Sequence, residues 1–165
     1  MNHKVDRLDR MVVRAVSPDG RIHGRLHSNG DVDFEFRDPD FYYDYSAGDL
    51  ARQLTQLLQG MKNARDAVVV GELGSGEPNL SLLDGRRRRY HEELEHLISY
   101  GVSRSGGIEV SANGPLRQQR VDIDDEALAE ADLEEFLVEL HAAYADMRRD
   151  YRTQRRALNR EHYSS

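Results

Sequence analysis

Two pairs of histidines are the side chains best suited to metal binding or proton transfer, and their spacings keep the members of each pair apart. His23 and His27 share one face of a predicted strand, but four strand residues separate them by about 13 Å, too far for one metal ion to bind both. His91 and His96 lie five residues apart on a predicted helix, outside the three- or four-residue spacing that brings side chains together. We interpret all four as surface or hydrogen-bonding histidines.

Two further patterns resemble functional motifs only in part. Asp31, Asp33 and Glu35 alternate along one strand face, where they either bind a hard cation or form a solvated face, and we favour the solvated face. The glycine-rich stretch 71–77 lacks the Lys-Ser/Thr ending of a phosphate-binding loop and the spacing of a nucleophile elbow. The chain has no cysteine, so thiolate catalysis and disulfides are excluded. We therefore expect no enzyme activity, cofactor, metal or small-molecule substrate.

Lys4 and Lys62 are the only lysines, so nearly all positive charge is carried by arginine. The arginines are concentrated in two clusters. The first cluster begins a predicted helix, where positive charge opposes the helix macrodipole, so DNA phosphate, an acidic partner or the glutamates that follow could offset that cost. The second cluster lies near a helix C-terminus, where a purely structural explanation is also available. The clusters are Arg86, Arg87, Arg88 and Arg89, and Arg148, Arg149, Arg152, Arg155, Arg156 and Arg160.

The composition favours a small acidic domain with local, rather than general, affinity for anions. The formal net charge is −7, which argues against a chain that coats nucleic acid indiscriminately. The chain has 165 residues, of which 38% are hydrophobic, enough for one domain or two small ones with a modest core. No apolar run approaches the length of a membrane span, and residues 1–10 are polar. We expect a cytoplasmic protein that does not contact membranes.

The first half predicts an antiparallel meander followed by a helix. A frayed arm or short helix at residues 1–9 precedes alternating segments separated by Pro-Asp-Gly and Asn-Gly turns, the latter the strongest short hairpin signal. The predicted strands are 11–16, 21–27 and 32–36. A helix marked by Leu50, Leu54, Leu57 and Met61 then ends near Asp66. Residues 71–79 are the predicted linker.

The second half predicts a helix, a hairpin and a long closing helix. The first helix spans about 84–100, the strands are 108–112 and 116–124, and the long helix covers 131–158. The apolar stripe of the long helix has heptad-type spacing. Leu133, Leu137 and Leu140 are predicted to pack on the chain itself. Met147, Tyr151 and Leu158 are predicted to emerge and meet a second copy or a protein partner.

The aromatic segment 41–45 is a second candidate surface. Tyr42 and Tyr43 either stack on bases or a peptide, or fasten the start of the first long helix to the sheet. We favour the structural interpretation with one ring left exposed, and we keep Tyr42 and Tyr43 as candidate partner-binding residues.

The two halves of the chain share a pattern that indicates an internal repeat. Each has an Asn-Gly turn, a strand, an acidic connection and a helix, with Leu50 and Leu133 as the first apolar helix residues. The predicted fold class is α+β, with antiparallel hairpins and meanders carrying long helices. The predicted units are residues 1–79 (β-β-β-α) and residues 80–165 (α-β-β-α).

The second unit resembles the YbaB/EbfC family of nucleoid-associated proteins. The resemblance rests on S-G-G-I-E-V-S-A-N-G at 105–114, V-D-I-D at 121–124 and the long helix with its Ala-Ala pair at 142–143. It covers about 86–158 and, more weakly, 11–66. It implies a tweezer-shaped dimer whose strands join and whose helices grip DNA, which two YbaB-like halves of one chain could mimic as a pseudo-dimer. The sequence departs from the family in its acidic charge, in Asp125 where proline is usual, and in lacking lysine-rich helix ends.

These patterns predict a non-enzymatic DNA-binding protein of the nucleoid-associated type with low sequence specificity. Its phosphate contacts would come from the two arginine clusters. The alternative is a protein-binding accessory or chaperone-like module, because similar domains occur among accessory proteins of actinobacterial type VII secretion systems. The acidic total charge and the aromatic segment favour this alternative. Under either hypothesis, the long helix could form a homo-oligomer or bind a protein partner.

Overall fold

The computed structural model of the chain describes residues 11–73 and 85–163. Within them lie two three-stranded antiparallel sheets and long helices, which confirms the predicted α+β class. The predicted arm at 1–9 and most of the predicted linker lie outside the described residues. No helix in the described part of the chain combines the length and apolar character needed to cross a membrane.

The first unit is the predicted meander with one long helix. Its strands are β1 (Val12–Val16), β2 (Ile22–His27) and β3 (Val32–Phe36), followed by a 3₁₀ turn (Pro39–Asp44) and helix α1 (Ala47–Leu73). Gly20 and Gly30 have φ of 76° and 93°, the left-handed conformation that their tight turns require. The Ser46 hydroxyl accepts the Asp49 N–H at 3.2 Å, which caps α1. The helix continues past its predicted end near Asp66.

The second unit contains a strand that the sequence analysis missed. Helix α2 (Gly85–Glu95) is followed by β4 (Ile98–Val102), β5 (Ile108–Asn113), β6 (Gln118–Ile123), the short α3 (Asp125–Glu130) and α4 (Leu133–Tyr163). The predicted helix 84–100 was therefore wrong after Glu95, and the predicted α-β-β-α order lacks β4. Strand formation is explained by burial that alternates with period two, because Ser99 and Gly101 face inward between exposed neighbours. A Cβ on Gly101 would lie 2.2 Å from the Ala143 carbonyl oxygen, so only glycine lets β4 approach α4 this closely.

The two units repeat one another at a spacing of 86 residues. Ser17 and Ser103 each accept the N–H of the residue five positions later, Ile22 and Ile108, at 3.0 Å in both units. On the long helices every buried apolar residue of α1 from Leu50 to Met61 has a buried counterpart on α4. These pairs are Leu50 and Phe136, Leu54 and Leu140, Leu57 and Ala143, Leu58 and Tyr144, and Met61 and Met147. The predicted repeat is present, but its helices align through Phe136 rather than Leu133.

The two units share one hydrophobic core. Helix α1 crosses β1 and β2 of its own sheet and lies along β6 of the other sheet. Helix α4 crosses β4 and β5 of its own sheet and touches β3 of the first. Buried residues of both sheets and both helices form a single cluster. Each long helix therefore stabilises both sheets, since the apolar surface that it buries belongs to both.

Candidate anion-binding end and acidic groove

The four consecutive arginines lie on the first turns of α2. Arg86, Arg87, Arg88 and Arg89 are all exposed, and the first turn has no acidic residue to offset them. Helix α2 has no buried residue of its own and is held by contacts with α4. One contact is a hydrogen bond of 2.6 Å between His162 Nε2 and a Glu93 carboxylate oxygen. Positive charge is thus fixed at a helix end where the macrodipole does not favour it.

A contact between Tyr90 and Arg155 joins the two arginine clusters. Tyr90 follows Arg89 directly on α2, and its side chain lies beside the Arg155 guanidinium on α4. Interactions with Tyr90, and to a smaller extent with Tyr151, raise the pKa of Arg155. The Tyr90 ring also meets the His162 ring edge to face, with centroids 6.0 Å apart. The arginines of α2 and α4 therefore belong to one end of the molecule.

Four arginines form a stripe on the outer face of α4. They are spaced three, four and four residues apart, which places them on one side of a helix. Arg149 contacts Asp146 at 3.4 Å yet keeps 70% of its side chain exposed. The stripe consists of Arg149, Arg152, Arg156 and Arg160. We call this stripe, Arg155 and the four arginines of α2 the arginine end.

Arg148 does not belong to the arginine end, contrary to the sequence prediction. Its Nη1 lies 3.1 Å from an Asp31 carboxylate oxygen and its Nη2 donates to the Asn29 carbonyl at 2.7 Å. Only 17% of its side chain is exposed. The Asn-Gly turn of the first unit is the reason, because a Cβ on Gly30 would lie 2.1 Å from Arg148 Nη2. Arg148 therefore fastens α4 to the β2–β3 turn and is not available to an external anion.

Most of the predicted partner-binding side chains are buried inside the chain. Met147 is 0%, Tyr151 8% and Leu158 9% exposed, so the prediction that this part of α4 emerges from the fold was wrong. The physical reason is β4 together with α2, which cover the C-terminal half of α4. Leu140 is buried as predicted, whereas Leu133 and Leu137 are partly buried.

The aromatic segment divides between a structural and an exposed tyrosine. Tyr42 is 2% exposed, and its hydroxyl donates to the Ala131 carbonyl at 2.9 Å, which ties the first unit to the start of α4. Burial, with further contributions from Tyr43 and nearby carboxylates, raises the pKa of Tyr42 to about 12. Tyr43 is 64% exposed and stays a candidate contact residue. One ring is thus left exposed, as predicted.

The opposite end of α4 forms the wall of an acidic groove that the sequence analysis did not predict. The sequence has ten carboxylates and neither Lys nor Arg between residues 121 and 147. A cavity of about 740 Å³ lies between α3, the start of α4 and the β4–β5 turn. Its floor includes Ile108, Leu128 and Phe136, and Val138 beside it is 66% exposed. Its carboxylates are Asp124, Glu126, Glu130, Glu134, Glu135 and Glu139.

Glu139 has a structural role in this groove. Burial raises its pKa, but hydrogen bonds from Ser105 and Ser103 outweigh that effect and leave the pKa lowered. The Ser105 N–H donates to Glu139 Oε2 at 3.2 Å and the Ser105 hydroxyl at 3.1 Å. In the first unit, Gln53 accepts the Asp19 N–H at 3.1 Å in the equivalent place. The backbone N–H at this turn is therefore bound by a carboxylate, Glu139, in the second unit and by a neutral amide, Gln53, in the first, and the bond to Glu139 fixes the groove wall.

The histidines and strand carboxylates do not form a metal site in the described residues. His27 contacts Asp33 at 2.7 Å, and Asp31 contacts Arg148. A separate group, Glu93, Glu161 and His162, brings its potential ligand atoms within 4.8 Å of one another. The hydrogen bond between His162 and Glu93, and the position of Glu161 next to His162 in the chain, account for that proximity.

No protein-family model matches the chain, and no curated protein matches it.

Proposed function

We propose that the chain is a non-enzymatic protein that binds the phosphate backbone of duplex DNA through the arginine end, with little sequence preference. The observation that carries this proposal is the packing of α2 against the C-terminal half of α4, where His162 contacts Tyr90 and Glu93, because this packing brings two arginine clusters to one end of two helices. Guanidinium groups bind phosphate oxygens through paired N–H donors, and such contacts carry little sequence information.

The distribution of acidic residues supports the same assignment. The acidic groove and the arginine stripe lie at opposite ends of α4, whose 31 residues span about 46 Å. Near the arginine end, Glu93 and Glu95 are paired with His162 and Arg117. The net negative charge of the chain is therefore not concentrated where phosphate would bind, since distant exposed charges are screened beyond about 8 Å at physiological salt.

The internal repeat supports a further part of the proposal. We infer that the two units play the part of the two subunits of a YbaB-like dimer, joined in one chain. The support is the 86-residue correspondence between the buried faces of α1 and α4, and the contact of each helix with the third strand of the other sheet, extensive for α1 and slight for α4. Only the second unit carries the arginine stripe, so DNA would bind on one side of such a pseudo-dimer.

A salt-dependent titration tests the DNA assignment. Anisotropy of a labelled mixed-sequence duplex should report binding at about 50 mM salt that weakens steeply by about 200 mM, with a slope of about 0.9 per phosphate contact. The double variant Arg152→Gln/Arg156→Gln should weaken binding and reduce that slope by about 2. The matched control is Arg37→Gln/Arg52→Gln, which removes the same charge from exposed positions of the first unit. No binding near 50 mM salt, or equal effects of both double variants, would exclude the proposal.

A protein-binding accessory role is the second candidate, and the acidic groove favours it. Its combination of carboxylates, an apolar floor and the exposed Val138 matches a basic segment with apolar anchors. The probe is an amphipathic peptide of alternating leucine and lysine turns. Its affinity for the variant Val138→Asp should be at least tenfold lower than its affinity for the wild-type chain. A Kd unchanged by this substitution would exclude the groove as the binding site. DNA competition separates the two candidates, because DNA should not displace a peptide that occupies the groove.

A further inference from the structure

The outer edges of β1 and β4 occupy equivalent places in the two units but differ in the hydrogen bonding of their backbone groups. In the second unit, side chains of α4 bond the outward backbone groups of β4. Asp150 accepts the Tyr100 N–H at 2.9 Å, and Asp146 accepts the Val102 N–H at 3.1 Å. Gln154 donates to the Ile98 carbonyl at 2.9 Å. The edge of β4 is thus closed by side chains of the chain's own helix.

The first unit lacks the side chains that would close β1. The counterparts of Asp146, Asp150 and Gln154, each 86 positions earlier on α1, are Gly60, Ala64 and Val68, and none of them can accept a hydrogen bond through its side chain. The Cβ of Ala15 is 3.5 Å from where a Gly60 Cβ would be, so α1 passes β1 at close range without offering it a polar group.

The part of the chain that the structure describes leaves the outward backbone groups of β1 open. The Ser17 N–H donates to the Ile22 carbonyl at 2.8 Å, and the antiparallel alternation then directs the N–H and C=O groups of residues 12, 14 and 16 away from β2. Among the residues that the structure describes, no hydrogen bond reaches the outward N–H groups of Arg14 and Val16. A strand edge of this kind is a template for pairing with another extended segment.

The side chains along β1 indicate the chemistry of such a segment. Val12 is 43% and Val16 49% exposed, and the exposed Arg14 lies between them. Arg14 is directly opposite Arg25 of β2, so the outer face carries two neighbouring positive charges. Asp33 lies 3.9 Å from Arg25, and among the described residues no ion pair links an acidic side chain to Arg14. Acidic residues facing Arg14 and apolar residues facing the valines would complement this pattern.

We propose that the outer edge of β1 is a strand-docking site that takes an extended acidic–apolar segment of a partner protein as a fourth strand of the first sheet. Backbone hydrogen bonds supply the affinity and Arg14 selects for acidic side chains. A second copy of β1 fits less well, because antiparallel pairing of all five residues with themselves sets Arg14 against Arg14, and like charges directly opposite are destabilising. This site is separate from the arginine end and does not depend on DNA binding.

The second unit supplies the design of the test. The variant Gly60→Asp/Ala64→Asp transfers the carboxylates of β4 to β1, and ordinary contact distance at Gly60 leaves room for the new side chain. The probe is a fluorescein-labelled peptide with the sequence Val-Thr-Glu-Thr-Val, whose first, third and fifth residues share one face, and its counterpart Val-Thr-Lys-Thr-Val has the same apolar residues with opposite charge. The acidic peptide should bind the wild-type chain at least tenfold more tightly than the basic one, and the double variant should lose at least tenfold in affinity for it.

Amide hydrogen exchange locates the binding. The acidic peptide should slow exchange at Arg14 and Val16 and leave Tyr100 and Val102 unchanged. Arg14→Glu should reverse the preference between the two peptides, and this readout decides the matter if the double variant fails to fold. Absence of binding at millimolar peptide, equal binding of both peptides, or protection elsewhere on the chain would each overturn the proposal.

Discussion

The hydroxyl of Thr55 bonds both backbone groups of Val121. It accepts the Val121 N–H at 2.9 Å and lies 3.4 Å from the Val121 carbonyl oxygen, to which it donates. Val121 is on the edge strand β6, so a side chain of α1 satisfies groups that a neighbouring strand would otherwise bond. The counterpart of Thr55 on α4 is His141, which is exposed. The contact between the two units is therefore closer on the α1 side than on the α4 side.

Replacing Thr55 with valine should destabilise the fold at this junction. Valine keeps the shape but leaves the Val121 N–H and carbonyl without a partner, and an unsatisfied buried group costs about 1–3 kcal/mol. Urea unfolding measures the difference in the free energy of unfolding. Thr55→Ser is the control, because serine retains the hydroxyl, and its loss should be clearly smaller. A Thr55→Val variant at least as stable as Thr55→Ser would contradict a stabilising role of the hydrogen bonds.

Tyr151→Ala should destabilise the chain more than Leu137→Ala. Tyr151 is 8% exposed, whereas Leu137 is only partly buried. Truncation of a buried aromatic side chain to alanine costs about 3–5 kcal/mol. Truncation of a buried leucine costs at least about 2 kcal/mol, and we expect a smaller cost for a half-buried one. Denaturant titration of the two variants provides the comparison. A Tyr151→Ala variant as stable as wild type would mean that the C-terminal half of α4 is not docked on β4 and α2.

Two serines of the second unit should respond in opposite directions. Ser99 is 0% exposed, and its hydroxyl has no hydrogen-bond partner among the described residues, while the equivalent position in the first unit is Val13. Ser99→Ala should therefore raise the free energy of unfolding by about 1 kcal/mol. Ser103→Ala should lower it by about 1–3 kcal/mol, because the buried Ile108 N–H loses its 3.0 Å acceptor. Urea titrations that show the same sign for both variants would contradict this assignment.

Glu139→Gln should make the stability of the chain less sensitive to acid. The pKa of Glu139 is lower in the folded chain than its ordinary value, so the carboxylate stabilises the fold above the unfolded pKa, about 4.3. That contribution is lost as the pH falls through the folded pKa. Glutamine copies the neutral Gln53 of the first unit and should flatten the decline in stability between about pH 5 and pH 3. Urea midpoints measured over this range check the slope, and an unchanged slope would contradict the role of Ser105 as donor.

Local sequence signals predicted most of the first unit correctly. The Pro-Asp-Gly and Asn-Gly turns fix the register of β1, β2 and β3, because each turn needs a glycine with positive φ. The second unit was harder, because Leu94, Leu97 and Ile98 continue a helix-like spacing beyond Glu95. Strand β4 forms through its pairing with β5 and through the close contact of Gly101 with α4. Those are long-range interactions that no local window contains.

The candidate site was predictable in composition but not in geometry. The arginine clusters are visible as residue types, yet only the fold shows that Arg148 is bound to Asp31 and that Arg155 meets Tyr90. The apolar stripe of α4 has the same spacing whether it packs against a second chain or against β4. The sequence therefore could not show whether Met147 and Tyr151 are buried within the chain or exposed on it. The signal for the acidic groove was present as a stretch of 27 residues without Lys or Arg, from 121 to 147.

The separation of charge along α4 gives the molecule a direction in an electric field. Of the ten carboxylates between residues 121 and 147, four lie on α4 and six just before it, and six arginines follow between 148 and 160, so the side-chain dipole of this stretch runs opposite to the backbone macrodipole. A polyanionic surface exerts a torque on such a molecule before any contact forms. Such a torque would turn the arginine-rich pole toward the surface and the carboxylates away from it at low salt, and it would weaken as ions screen the field.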